Sequence, residues 1–358
     1  MSPKGARNTY CARRPAHAGE RSLNEPTKPL PADYEERSES AAGHPQRRSW
    51  FGLAARILAG AALLALVVWY AEPKALWIEL RRADPWLFAL AVVVAICGNL
   101  LSVTRWALIA RGLGLIAPIP RMILMYARGI TTNMVLPGAM LSGDVLRSVQ
   151  LARVGNPLGS SALSVFLDRF SGLWMLCGMS LIATLAVGVW KLATGGGPAV
   201  ALHQLTGYML ALAIGLIVPV MPLPFAKLER SRVSWVAKLA THWERLELGV
   251  QRARPALLSS AWRSFGVQFL AACTLWICGL SVGVSLPYPV MLAAAAPIFI
   301  MASLPIGVAG FGTREVAAVI VLGALGVPSE QATATGLLYG MAAVVQGVLG
   351  APLFFTKA

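Results

Sequence analysis

The chain carries runs of about twenty apolar residues that no aqueous surface can accommodate. They cover residues 52–71, 86–104, 160–189, 205–224, 265–286 and 335–355, and four of the six contain no charged residue at all. About 20 such residues in a helix cross the ~30 Å hydrocarbon core of a bilayer. Backbone N–H and C=O groups find no water there, so a helix that satisfies its own hydrogen bonds is the form such a run takes. The expected fold is an all-α integral membrane protein with about six full transmembrane helices. Composition agrees. Charged residues make up 13% of the chain and mean hydropathy is +0.64, whereas a soluble fold carries roughly 25% charge to coat its surface.

Residues 1–50 are rich in Pro, Ser and charges of both signs and poor in large apolar side chains. Such a segment cannot bury a core, and it is expected to be a disordered cytoplasmic tail. So long a polar stretch ahead of 52–71 does not fit a cleavable signal peptide, so that run reads as an anchor that stays. Residues 51–358 then form one polytopic membrane domain.

The net charge of +15 is compatible with nucleic acid by sign but not by distribution. Lys and Arg gather in the tail and in the loop 225–264, which holds Lys227, Arg230, Arg232, Lys238, Arg245, Arg252, Arg254 and Arg263. The segment 190–204 has only Lys191, and 287–290 has none. By the positive-inside rule the tail and 225–264 lie in the cytoplasm, and the other two lie outside. Lys74, Arg81 and Arg82 in 72–85 run against this pattern. Within 225–264, Trp235, Leu239, Trp243, Leu246 and Val250 recur at three- and four-residue spacing among basic residues. That pattern fits an amphipathic helix on an anionic leaflet, and equally a connector helix packed on the bundle.

Two regions, 119–153 and 291–326, are broken in the middle by Pro and Gly. Each half is too short to cross alone. The orientation returns the chain to its starting side across each, so both are expected to be re-entrant hairpins, buried in protein or lining a cavity. The order span, broken hairpin, span then occurs twice, over 86–189 and 265–355, entering from opposite faces. This is a candidate inverted repeat. Broken segments at matching places in two halves point to a transport site near the midplane.

Ionisable groups inside the apolar regions are costly to place there and are the candidates for function. The first cluster runs Asn133, Leu136, Pro137, Gly138, Ser142, Gly143, Asp144 and Arg147. Pro137 removes a donor, Gly138 and Gly143 let the chain turn, and a half-helix starting near Ser142 would aim free N–H groups at an anion. The second cluster contains Leu304, Pro305, Gly307, Gly310, Gly312, Arg314 and Glu315. Its glycines do not have Walker spacing and no strand precedes them, so a tight membrane turn with Arg314 as headgroup contact is expected. Asp168 and Arg169 lie too deep in their span for snorkelling, and Arg128 is similarly placed. Pairing of Asp168 with Arg128 or Arg147 is expected. Each cluster can also be read as a Pro/Gly kink with an ion pair that only holds helices together.

The five cysteines show no CxxC spacing and the four histidines no ligand pair, so no metal site is expected, and the four cysteines in apolar runs read as small buried hydrophobes. Without a nucleotide-binding motif, no cofactor and no direct use of ATP are expected.

The motifs Asn133…Leu136-Pro137-Gly138…Gly143-Asp144…Arg147, Asp168-Arg169-Phe170-Ser171-Gly172-Leu173 and Leu304-Pro305…Gly310-Phe311-Gly312-Thr313-Arg314-Glu315 carry a resemblance. In order and spacing, over roughly 52–356, the chain resembles the flippase-like membrane family that includes the transmembrane region of lysylphosphatidylglycerol synthases. Ser142-Gly143 stands where that family often has two glycines, and Asp168 where it often has Glu. The resemblance implies translocation of a lipid with an anionic or zwitterionic headgroup across the cytoplasmic membrane: an aminoacyl-phospholipid, a polyprenyl-phosphate carrier or a hopanoid lipid. Full synthases carry a soluble acyltransferase domain after the membrane region. This chain ends at Ala358 after its last apolar run, so no aminoacyl transfer and no enzyme activity are expected.

Two other functions compete. A lipid-linked glycosyltransferase would need outer catalytic carboxylates, and the chain has four aspartates and no DxD. A scaffold for lipid-modifying enzymes would use the basic loop and leave the hairpin residues idle. Membrane lipids are the expected partners, nucleic acid is not, and the oligomeric state is open.

Overall fold

The computed structural model describes residues 72–135, 141–193, 234–304 and 310–356 continuously, with isolated positions between 58 and 70 and at 207 and 210. The described residues hold helices and no strand. In chain order these are α1 (Pro73–Arg82), α2 (Pro85–Gly112), α3 (Ile119–Val135), α4 (Leu141–Ala152), α5 (Leu158–Ala193), α6 (Ser234–Ser281), α7 (Tyr288–Ser303), α8 (Thr313–Gly323) and α9 (Ser329–Gly350).

Four helices are long and apolar enough to cross a membrane: Pro85–Gly112, Leu158–Trp190, Ala253–Ser281 and Ser329–Phe354, the last including a closing 3-10 turn. They match four of the expected runs. The runs 52–71 and 205–224 lie almost wholly outside the described residues, as does the tail 1–50. Along these helices Val93, Leu100, Trp174, Ile182, Val189, Trp262 and Val348 are exposed. An outer surface of this kind excludes water and suits lipid.

Local chemistry sets the helix ends. Asp84 caps α2: its Oδ1 accepts the Trp86 N–H at 2.8 Å and the Leu87 N–H at 3.3 Å, while Pro85 sits where a missing N–H costs nothing. α7 stops at Ser303, two residues ahead of Pro305, and α3 is described as far as Val135. The residue before proline avoids the helical region, and Leu304 is extended at φ −66° and ψ 137°. The second break therefore falls where Pro305 predicts it, while Pro137 lies outside the described residues. As described, α3, α4, α7 and α8 have 17, 12, 16 and 11 residues.

α2 and α6 form the most extensive helix pair. They run antiparallel. The Asp84 N–H donates to the Ser281 carbonyl at one end, and Gly112 meets Ala256 at the other. Between these ends Gly98 faces Leu270, and Gly266 faces Leu101. Each helix thus offers a glycine to a leucine of the other. The remaining contacts obey the same exchange. When α2–α5 are swapped with α6–α9, the α5/α7 contact becomes α9/α3, α4/α5 becomes α8/α9, and α2/α3 becomes α6/α7. α2 and α6, the first helices of the two sets, lie antiparallel.

Two expectations change. The basic segment and the following span are one helix, since α6 runs unbroken from Ser234 through Pro255 to Ser281. The apolar crossing begins at Ala253, inside the segment 225–264 expected as a separate loop. Proline near the start of the apolar part costs one hydrogen bond but does not stop the helix. Side chains from Trp235 to Val250 lie outside the described residues, so their amphipathic face is untested. Finally, Cys177 and Cys278 are buried, but Cys97 is exposed, because a cysteine on a lipid-facing helix surface needs no protein cover.

Candidate functional site

Asp168 and Arg169 are neighbours on α5, so their side chains leave the helix in different directions and reach different partners. Asp168 is fully buried and takes two arginines. Arg105 of α2 donates through Nε to Oδ1 at 2.9 Å, and Arg147 of α4 through Nη2 to Oδ2 at 3.1 Å. Arg169 reaches back to Asp144 of α4, with Nε 2.9 Å from Oδ2 and Nη2 2.9 Å from Oδ1. Arg147 also touches Asp144, its Nη1 3.4 Å from Oδ1. The result is an alternating chain of charges, Arg105–Asp168–Arg147–Asp144–Arg169, joining three helices. Such buried ions persist only when paired and hydrogen-bonded.

Aromatic rings complete the setting of Arg147. Its guanidinium lies 4.1 Å from the Trp106 ring centroid and 4.4 Å from that of Tyr126. The rings stabilise the cation and fix its plane. Trp106 Nε1 donates to Ser164 Oγ at 3.2 Å, and Tyr126 Oη to Ser102 Oγ at 3.0 Å, so both rings are themselves held. Arg147 Nε is buried without a hydrogen-bond partner among the described residues.

The start of α4 is closed by Asn133 at the end of α3. Its Oδ1 accepts the Gly143 N–H at 2.7 Å and the Ser142 hydroxyl at 3.2 Å. The expected free N–H terminus is therefore partly occupied from within the protein. Gly143 is required sterically, since a Cβ there would fall 2.3 Å from the Gly129 carbonyl oxygen.

The second cluster is simpler. Gly310 and Gly312 have φ of 78° and 89°, a left-handed backbone that side chains disfavour. This turn delivers Arg314 and Glu315 to the start of α8. Glu315 is fully buried, accepts the Gly312 N–H at Oε2, and receives Arg314 Nη2 on Oε1 at 2.7 Å. Arg314 lies 4.8 Å from the Phe311 ring centroid and 5.8 Å from that of Tyr339. Gly340 of α9 leaves room for it: a Cβ there would lie 2.0 Å from Nη2.

One cavity of about 180 Å³ joins the two clusters. Arg147 and Arg169 from the first half and Arg314 from the second lie on its wall, with Tyr126, Tyr339, Asn99, Asn133, Thr274 and Gln346. Gly98 also lines it, about 20 Å from either end of α2 at 1.5 Å per residue. The cavity therefore sits midway along the spans. Asp144, Asp168 and Glu315 do not line it; they stand behind the arginines. Among the described lining residues, every ionised side chain is a guanidinium.

Among the expected site residues, Asn133, Arg147, Arg169 and Arg314 meet at the cavity, and Ser142, Gly143, Asp144, Asp168, Gly310, Gly312 and Glu315 support them. Pro137, Gly138, Pro305 and Gly307 lie outside the described residues. Arg128 goes elsewhere. It donates to the Leu353 carbonyl at 3.0 Å and the Thr356 carbonyl at 2.6 Å, tying α3 to the C-terminal turn, and Asp168 does not pair with it. Its place on α3 points it toward the outside of the α3/α9 contact.

Arg105, Asn99, Tyr126, Tyr339 and Gln346 are not among the residues expected at the site. The available signal was depth. Arg105 lies seven residues inside the end of α2, about 10 Å along its axis, as awkward a place for a charge as that of Asp168.

Comparisons with known proteins agree with this architecture. The chain is 23% identical over 313 residues to a UPF0104 membrane protein of Methanothermobacter thermautotrophicus, covering 82% of this chain and 89% of that one. The family model for the lysylphosphatidylglycerol synthase TM region matches residues 56–350, from the first apolar run through the last helix. The protein is thus a membrane protein belonging to the lysylphosphatidylglycerol synthase transmembrane-region family.

Proposed function

We propose that the chain is a lipid transporter of the flippase type, which moves an amphiphile with an anionic or zwitterionic headgroup across the cytoplasmic membrane. The observation that carries this reading is the mid-depth cavity whose ionised wall groups are Arg147, Arg169 and Arg314. Guanidinium groups match phosphate oxygens in shape and charge. The carboxylates behind them offset the cost of burying the cations without placing negative charge on the wall. The unpartnered Arg147 Nε gains an acceptor when a phosphate oxygen enters.

In this reading the two broken pairs, α3/α4 and α7/α8, are re-entrant hairpins, and 52–71 and 205–224 complete six spans, with the N-terminus in the cytoplasm. The headgroup passes between the hairpins, the hydrocarbon part stays in the bilayer, and the halves rock about the α2/α6 contact to alternate access. The chain performs no covalent chemistry. Aminoacyl-phospholipids, polyprenyl phosphates and hopanoid lipids are the substrate classes, and enzymes that make or modify such lipids are the partners to expect.

The test is a reconstituted translocation assay in liposomes with fluorescent phospholipid and polyprenyl-phosphate probes. The comparison is Arg169→Gln, since Arg169 is the most exposed of the three wall arginines at 40% and its loss leaves the buried Asp168 pairs intact. Wild type should move at least one probe class and the variant should move it at least ~tenfold more slowly, the effect of losing roughly 1.4 kcal/mol of charge-assisted contact. Wild-type protein that moves no probe across the panel, in liposomes of either charge, would sink the reading and leave the scaffold role.

A further inference from the structure

A second chamber adjoins the arginine-lined cavity. Its volume is about 190 Å³, and it lies among α2, α3, α9 and the C-terminal turn. Four residues, Asn99, Tyr126, Ile130 and Gln346, line both spaces, so the partition is one side chain thick. Beyond that partition the chamber wall is apolar, formed by residues such as Ile96, Val103, Ala127 and Leu353. Leu100, Ile123 and Leu349 on its wall are 47%, 39% and 61% exposed, so it opens sideways onto the apolar outer surface.

We infer that this chamber holds a hydrocarbon chain of the same lipid whose headgroup occupies the arginine cavity, with the Asn99–Gln346 amide pair as the gate between head and tail. The inference rests on the transport reading above. Two adjoining spaces, one walled by guanidinium groups and one by hydrocarbon, match the two ends of an amphiphile. The chamber is open toward the bilayer, so a chain enters it without crossing water. The gate is set by chemistry. Asn99 Nδ2 donates to Gln346 Oε1 across the α2/α9 contact, and Gln346 Nε2 donates back to the Ala342 carbonyl at 3.0 Å. Both amides are half-buried, and either left without a partner costs free energy, so the pair stays closed until a ligand group replaces the contact. A glycerol ester linkage, polar and lying between phosphate and chain, is the group that fits at this boundary.

The experiment uses the full chain in liposomes and two photoactivatable phosphatidic acid probes, one with a diazirine near the headgroup and one with it in the acyl chain. Labelled peptides are then mapped. The headgroup probe should label peptides bearing Arg314 and Tyr339. The chain probe should label α3 and α9 around Ile123 and Leu349, at least ~fivefold above other lipid-facing helices. In Ala127→Phe, which fills the chamber, chain labelling there should fall to the background of the other helices while headgroup labelling persists. Ile123→Trp at the exposed rim serves the same purpose if Ala127→Phe fails to fold. If the headgroup probe marks the cavity but the chain probe spreads evenly over all exposed helices, the chamber assignment is overturned and the transport reading survives. If neither probe labels selectively, the headgroup site itself is wrong.

Discussion

Arg147 meets Asp168 at 3.1 Å although the two belong to different helices, α4 and α5, and lie 21 residues apart. Both are almost fully buried, and Asp168 is shared with Arg105 of α2. One carboxylate thus anchors two arginines from either side. Only one of them, Arg147, faces the cavity.

Asp168→Asn should be the most damaging single change in the network. It leaves the buried Arg105 guanidinium without a carboxylate and Arg147 with Asp144 alone, a loss of about 3–5 kcal/mol. Thermal unfolding in detergent should show a far larger drop than for Arg169→Gln, whose side chain is partly exposed. Equal drops would mean that the buried pairs are not the structural core of the site.

Gly340→Ala separates transport from folding. The added methyl would overlap Arg314 Nη2, the far end of a flexible side chain, and come within 2.8 Å of the Phe311 ring. Displacing Arg314 should cost about 1–3 kcal/mol of stability and abolish headgroup transport. Unchanged transport with a displaced Arg314 would remove that residue from the site.

Gly143→Ala meets backbone instead. Its methyl would fall 2.3 Å from the Gly129 carbonyl oxygen and 2.7 Å from Asn133 Oδ1. Neither can yield without parting α3 from α4, so destabilisation at or above the upper end of roughly 1–3 kcal/mol is expected, together with loss of the Asn133 cap. Yield and melting temperature of the purified variant test this directly.

Arg128→Ala should leave the transport rate within about twofold of wild type and lower stability by about 1–3 kcal/mol, the cost of its bonds to the Leu353 and Thr356 carbonyls. A loss of transport with unchanged melting would return Arg128 to the functional group from which its geometry removes it.

Much of the fold was legible because hydrocarbon imposes hard rules. Runs of apolar residues needed helices, and Pro305 marked the end of α7 because the residue before proline avoids the helical region. The site was legible in part. Asp144, Arg147, Asp168 and Arg314 stand out as charges where charge is costly. Arg105 was missed despite its depth, because a basic residue on that side of a span fits the positive-inside pattern and its partner Asp168 is 63 residues away. Arg128 was misjudged for the converse reason: depth in sequence does not tell whether a side chain turns inward or along the C-terminal turn. Asn99 and Gln346 meet across 247 residues, and no local pattern announces such a pair.

The glycine-to-leucine exchange between α2 and α6 has an energetic consequence. Were the two halves identical, swapping their conformations would convert a form open to one side of the membrane into a form open to the other at no cost. Any resting preference must then come from places where the halves differ. Among the described residues the largest such difference is electrostatic: Arg105, Asp144, Arg147, Asp168 and Arg169 interlock in the first half, against the pair Arg314–Glu315 in the second. In the proposed transport cycle the heavier ionic lock should make the first half the stiff partner, so that the bias between the two forms is set by those five residues more than by the apolar scaffold around them.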